Sequence, residues 1–98
     1  MSMPGASSEM KDATEDTQRM CDQLKTKVED MTKKTYEEFR AVKYRQQIVA
    51  GTNFFIKVHV GGESYLHLRV FQGLLGDGVA ELVDVQEDRA KEDPIVYF

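Results

Sequence analysis

Two histidines, one cysteine and scattered carboxylates are the groups in this chain that could do chemistry. His59 and His67 fall on neighbouring predicted strands with the same parity, so their rings face one side of a sheet and could approach one another. Two imidazoles are fewer ligands than a zinc site requires. Solvated cross-strand histidines are the simpler reading, and neither a metal nor a cofactor is expected. Cys21 has no second cysteine to pair with. It sits on the apolar stripe of a predicted helix, where a thiol behaves as a small hydrophobe. No carboxylate lies in an apolar run that would raise its pKa for acid–base work. The chain contains no glycine-rich phosphate loop, no GxSxG, no HExxH and no CxxC. No catalytic residue is nominated, and the expectation is a protein that is not an enzyme.

The informative residues are apolar ones in an unusual place. Hairpin tips are ordinarily polar because they stand in water. Here the bend between two strongly patterned segments reads Gln47-Ile48-Val49-Ala50-Gly51. A later bend, Leu74-Leu75-Gly76, is also apolar, whereas the bend between them, Gly61-Gly62-Glu63-Ser64, is not. Alternate turns of a meander lie at the same end of the sheet, so the two apolar bends share an edge and the polar one lies opposite. Exposed apolar loops gathered at one edge mark a binding surface. The competing reading is that these residues continue the strands and face the core, with Val49 and Ala50 inside a longer, bulged strand.

The elements that position these bends are legible from periodicity. Residues 1–12 are small, polar and rich in turn formers, and read as a flexible arm. Within it, Pro4 favours an extended backbone before it and Gly5 has no side chain to hold another surface away. A helix is predicted over residues 14–35. Asp12 or Thr14 can cap it, with Glu15 and Asp16 in the first turn and Lys33 and Lys34 near the last. Thr17, Cys21, Leu24, Val28, Met31 and Thr35 recur at spacings of three and four as its buried stripe, widened by Met20. Glu29–Lys33 and Asp30–Lys34 are acid-first i,i+4 pairs. From Phe39 the period becomes two. Val42 and Tyr44, then Phe54, Ile56, Val58 and Val60, then Leu66, Leu68 and Val70 alternate with residues such as Phe55, Lys57, His59, His67 and Arg69. A weaker strand follows over residues 79–86, then a charged loop, then a short edge strand from Ile95 to Phe98 opened by Pro94. One helix followed by strands on short connections predicts an α+β domain, an antiparallel sheet packed on a single helix.

Composition bounds the rest. Ninety-eight residues, 41% hydrophobic and 31% charged, make one globular domain, residues 1–98, with a thin core. A net charge of -4 argues against nucleic acid as a partner. No run is long and apolar enough for a membrane span, and no signal peptide is visible. With a single cysteine, a reducing compartment is expected.

The stretch Gln47-Ile48-Val49-Ala50-Gly51 fits the motif Q-x-V-x-G. It runs on into Gly51-Thr52-Asn53-Phe54-Phe55-Ile56-Lys57-Val58. His67-Leu68-Arg69-Val70-Phe71 and the terminal Tyr97-Phe98 add to it. In this order and chain length the sequence resembles the cystatin superfamily of cysteine-protease inhibitors, and within it the stefins, the type 1 cystatins. The likeness covers the whole chain. It implies an antiparallel sheet wrapped around one long helix, and a three-part wedge that enters the active-site cleft of papain-like proteases, the lysosomal cathepsins among them. Carried onto this chain, the wedge is Pro4-Gly5, the hairpin Gln47, Ile48, Val49, Ala50 and Gly51, and the second hairpin Leu74, Leu75 and Gly76. Leu75 departs from the proline usual in that second hairpin, which is also about one residue shorter. Secreted relatives carry two disulfides and a Pro-Trp pair, both missing here, so the intracellular type is implied, cytoplasmic and small enough to enter the nucleus by diffusion.

The implied mechanism is reversible, tight-binding, non-covalent occlusion, with Gly5 and Gly51 letting backbone approach the catalytic thiol. The alternative is an interaction module that has kept the fold and lost inhibition. A monomer is expected, with a domain-swapped dimer reachable by opening at residues 47–51, as in related stefins.

Overall fold

A computed structural model describes residues 9–73 and 80–98. Among these residues, five strands form one antiparallel sheet in the order β1 (Lys11–Asp12), β2 (Arg40–Val49), β3 (Gly51–His59), β4 (Tyr65–Gln72) and β5 (Glu81–Arg89), and a single helix, α1 (Glu15–Thr32), separates β1 from β2. The arm expected over residues 1–12 therefore gives way at Lys11 to a short strand, paired Lys11 to Tyr44 and Asp12 to Lys43. Residues 1–8 lie outside the described part.

Thr14, rather than Asp12, caps α1. Its hydroxyl accepts from the Thr17 N–H at 3.2 Å, and the Thr17 hydroxyl accepts from the Thr14 N–H at 2.8 Å, a reciprocal capping box. The helix ends at Thr32, short of the predicted Thr35, because Lys33 turns into the left-handed region at φ 62°. The acid-first pairs do not form as expected. Glu29 instead accepts from the Tyr36 N–H at 2.8 Å, and Lys34 reaches Glu87 at 3.1 Å. Thr17, Cys21, Leu24 and Val28 are buried as the stripe requires, whereas Met31 and Thr35 are exposed.

The inner face of the sheet meets this stripe. Ile56, Val58, Leu66, Leu68 and Val70 pack with Cys21, Leu24 and Val28 in one core. The alternation of β2 is interrupted: Ala41 pairs with Val58 and Lys43 with Lys57, leaving Val42 as the extra residue of a bulge. Gln18 on α1 ties this bulge down. Its amide donates to the Phe39 carbonyl at 3.0 Å and accepts from the Ala41 N–H at 2.8 Å.

The outer face departs most from expectation. Residues 94–98 form no strand. The chain from Ala90 onward crosses the outer face as a strap, its carbonyls taken by side chains instead of a strand edge. Arg45 donates to the Ile95 carbonyl at 2.5 Å, Lys57 donates to those of Lys91 and Asp93 at 2.6 Å each, and Arg69 donates to that of Phe98. Ile95 is buried, and Phe55 lies between the rings of Tyr97 and Phe98, at 4.8 and 5.8 Å. The strap consequently covers polar residues of this face: Lys57 is 2% exposed, and His67, read from sequence as solvated, is 0% exposed.

Candidate functional site

β2 and β3 stay paired to their very ends. Gln47 faces Asn53, Ile48 faces Thr52 and Val49 faces Gly51, so Ala50 alone makes the turn. The residues do continue the strands, yet they do not enter the core: Ile48 is 52% exposed and Val49 43%. Alternation places Ile48 on the helix side and Val49 on the strap side, so the tip shows apolar surface on both faces.

Gly51 is buried, with φ 109°. A Cβ at this position would stand 2.6 Å from the Gln72 carbonyl oxygen and 2.6 Å from Phe71 Cζ. The requirement for glycine is thus set from inside the molecule, by the end of β4, and not only by anything that approaches from outside. Beside it, the Asn53 amide donates to the Gln47 side-chain carbonyl at 3.2 Å, and Asn53 is itself buried. Asn53 and Phe71 belong to the stretches that carry the family resemblance but were not among the candidate site residues. Asn53 was findable, since an asparagine inside a strand pattern opposite a glutamine implies a cross-strand amide pair. Phe71 was not, because its contact with Gly51 depends on the β3–β4 register.

The same end of the sheet receives two other segments. β1 runs antiparallel to β2, so the backbone from Asp12 to Lys11 points toward the Val49 end. Gln72, the last residue of β4, is opposite Thr52, and Glu81, the first of β5, is opposite Phe71. The Gly61–Gly62 turn lies at the far end, closed by a 3.0 Å bond from the Ser64 N–H to the Gly61 carbonyl. The remaining candidates, Pro4, Gly5, Leu74, Leu75 and Gly76, lie outside the described residues.

The groups with chemical potential are engaged elsewhere or inert. Burial pushes the Cys21 thiol up to about 12, which keeps it protonated. His59 is not solvated: Nδ1 pairs with Glu38 and Nε2 meets the Gly62 carbonyl at 2.7 Å. His67 faces Lys57, not His59, across the β3–β4 ladder. Among the described residues, no three His, Cys, Asp or Glu side chains gather as a metal site. An open groove of about 660 Å³ between α1 and the sheet is lined by Met20, Tyr44 and Phe54, and its described carboxylate, Asp16, is paired with Arg19 at 2.9 Å. No helix is long and apolar enough to cross a membrane among the described residues.

A helix packed on a five-stranded antiparallel sheet, with an exposed apolar hairpin tip at one sheet end, defines the class as a two-layer α+β domain. Comparison with known proteins gives that class its family. Residues 5–90 match the cystatin domain. Cystatin-B of Homo sapiens is 44% identical over 97 residues, covering 98% of this chain and 99% of that protein. Cystatin-B of Oplegnathus fasciatus is 46% identical over 97 residues, covering 98% and 97%. The leukocyte cysteine proteinase inhibitor 1 of Sus scrofa is 43% identical over 97 residues, covering 98% and 94%. The chain belongs to the cystatin family and, within it, to the stefins.

Proposed function

We propose that this protein is a reversible, tight-binding, non-covalent inhibitor of papain-like cysteine proteases, lysosomal cathepsins among them, working from the cytoplasm. The observation that carries the reading is the pair of exposed apolar side chains, Ile48 and Val49, held at the last rungs of a fully paired hairpin. Family membership and the relative named as a cysteine proteinase inhibitor supply the target class.

The physical mechanism is occlusion. Ile48, Val49 and Ala50 bury apolar surface in the cleft, at about 25 cal/mol per Å² removed from water. The hairpin is already ordered, so little conformational entropy is lost when it enters. Pro4-Gly5 and Leu74-Leu75-Gly76 are the other two parts of the wedge in this reading, on the strength of the family resemblance. An interface of ordinary size, about 800 Å² per partner, is then sufficient for tight binding. The buried Cys21 thiol, held protonated, takes no part in a covalent step, and with no scissile bond set before the protease thiol the inhibitor is not consumed.

Titration of papain should give loss of activity at one-to-one stoichiometry, with intact inhibitor recovered afterwards. Val49→Asp places a charge on an exposed tip, so the domain should fold normally while inhibition weakens by more than about tenfold. A folded protein that leaves papain fully active would return the domain to the alternative of a non-inhibitory interaction module. Progressive cleavage with loss of inhibition would reject occlusion.

A further inference from the structure

The turn that carries Ile48 and Val49 is supported from one side by a residue twenty positions away in sequence. Phe71 is half-buried on the outer face near the end of β4, opposite Asn53. Its ring does not stay over Asn53 alone. It reaches diagonally to Gly51, where Cζ stands 2.6 Å from the place a Cβ would occupy. Diagonal neighbours across a strand pair are within reach of an aromatic ring. The ring therefore lies on bare backbone at the first residue of β3. Next to it, the Gln47–Asn53 amide pair at 3.2 Å closes the base of the hairpin on the same face. Gln47, Asn53 and Phe71 form one row across β2, β3 and β4.

We infer that Phe71 is a positioning residue for the inhibitory hairpin: its ring, packed on Gly51 beside the Gln47–Asn53 pair, fixes the direction in which Ile48 and Val49 project. The inference rests on the reading that this hairpin enters the protease cleft. Two-stranded tips twist and fray readily, because each tip residue has a ladder partner on one side only. Here β4 ends at Gln72, opposite Thr52, and the Phe71 ring extends third-strand contact beyond that last rung to Gly51, beside the Gln72 carbonyl. Removing the ring leaves Ile48, Val49 and Ala50 chemically unchanged but frees the angle at which they are presented. The cost should then appear as ordering lost on binding, and hence in the dissociation rate.

The test compares papain binding by four variants. Phe71→Ala should raise the dissociation rate about tenfold with little change in association, and Phe71→Leu, which refills part of the space, should raise it less. Amide hydrogen exchange at Gly51 and Thr52 should quicken in Phe71→Ala. Leu66→Ala is the control for stability: this core residue sits at the opposite end of the sheet, opposite Val58. It should lower the unfolding midpoint at least as much while leaving dissociation and tip exchange as in the parent. A Phe71→Ala protein with unchanged dissociation and exchange overturns the inference, as does a Leu66→Ala protein that dissociates equally fast. Should Phe71→Ala not fold, an unchanged dissociation rate in Phe71→Leu overturns it instead. Val49→Asp separates the two levels. If it inhibits as the parent does, the hairpin reading itself fails. If it inhibits poorly while both Phe71 variants behave as the parent, only the role of Phe71 fails.

Discussion

At Gly51 two demands meet in one residue. Its φ of 109° lies where L side chains are strained, and the Gln72 carbonyl and Phe71 ring occupy the space a Cβ would need. The ring could swing aside, but the Gln72 carbonyl belongs to the backbone of β4. Gly51→Ala should therefore destabilise the fold by about 2–3 kcal/mol, from strain and from displacing β4. Urea unfolding measures it, and an unchanged midpoint would show that the end of β4 yields freely. The expected loss also makes Gly51 a poor probe of protease contact, since weaker inhibition would mix two causes; Val49 separates them. Sequence showed the apolar bend, because Ile48 and Val49 stand where polar residues are usual. It did not show why the bend closes on a glycine, because the reason lies on another strand.

The elements were legible wherever local periodicity alone decides the outcome. The α1 stripe from Thr17 to Val28 and the inner residues of β3 and β4 follow from spacing. The outer face was misread because His67 and Lys57 give it the polar half of an ordinary alternation, and what covers it is a strap with no regular structure and so no period of its own. Lys57 betrays the cover only through its partners, the Lys91 and Asp93 carbonyls, and burial holds its pKa below the ordinary lysine value. His67 carries a consequence for pH. It is fully buried, and neither ring nitrogen has a hydrogen-bond partner among the described residues. Burial, with Lys57 and Arg89 adding to it and Asp93 opposing, lowers its pKa from 6.5 to about 4. The unfolded chain thus takes up this proton at a higher pH than the folded one. The stability involved is fully present above pH 6.5 and is lost as pH falls toward 4, a total of about 3 kcal/mol. Unfolding midpoints at pH 7 and pH 5 should differ accordingly, and His67→Leu should flatten that part of the profile. A parent and variant with parallel profiles would show that His67 is protonated without penalty.

Over the whole molecule, the sheet's two ends differ in character. The Gly61–Gly62 end is an ordinary polar turn, while the Val49 end collects the hairpin tip and the ends of β1, β4 and β5. The same economy creates a vulnerability. β1, α1 and β2 reach the rest of the domain through one residue, Ala50. If that turn opens, these elements can leave and dock on β3–β5 of a second copy, and every pairing from Ala41–Val58 to Ile48–Thr52 can re-form between chains. Exchange of identical contacts costs little beyond the turn itself. In such a dimer β2 runs straight into β3, so Ile48, Val49 and Ala50 become part of a continuous strand instead of a projecting tip. Inhibition and exchange are then mutually exclusive. Warming the concentrated protein and separating the products by size-exclusion chromatography should give a dimer that leaves papain active and a monomer that inhibits it. Inhibition should return in proportion as the dimer is dissociated. A dimer that inhibits at one chain per papain would mean that the turn stays closed and that association uses another surface.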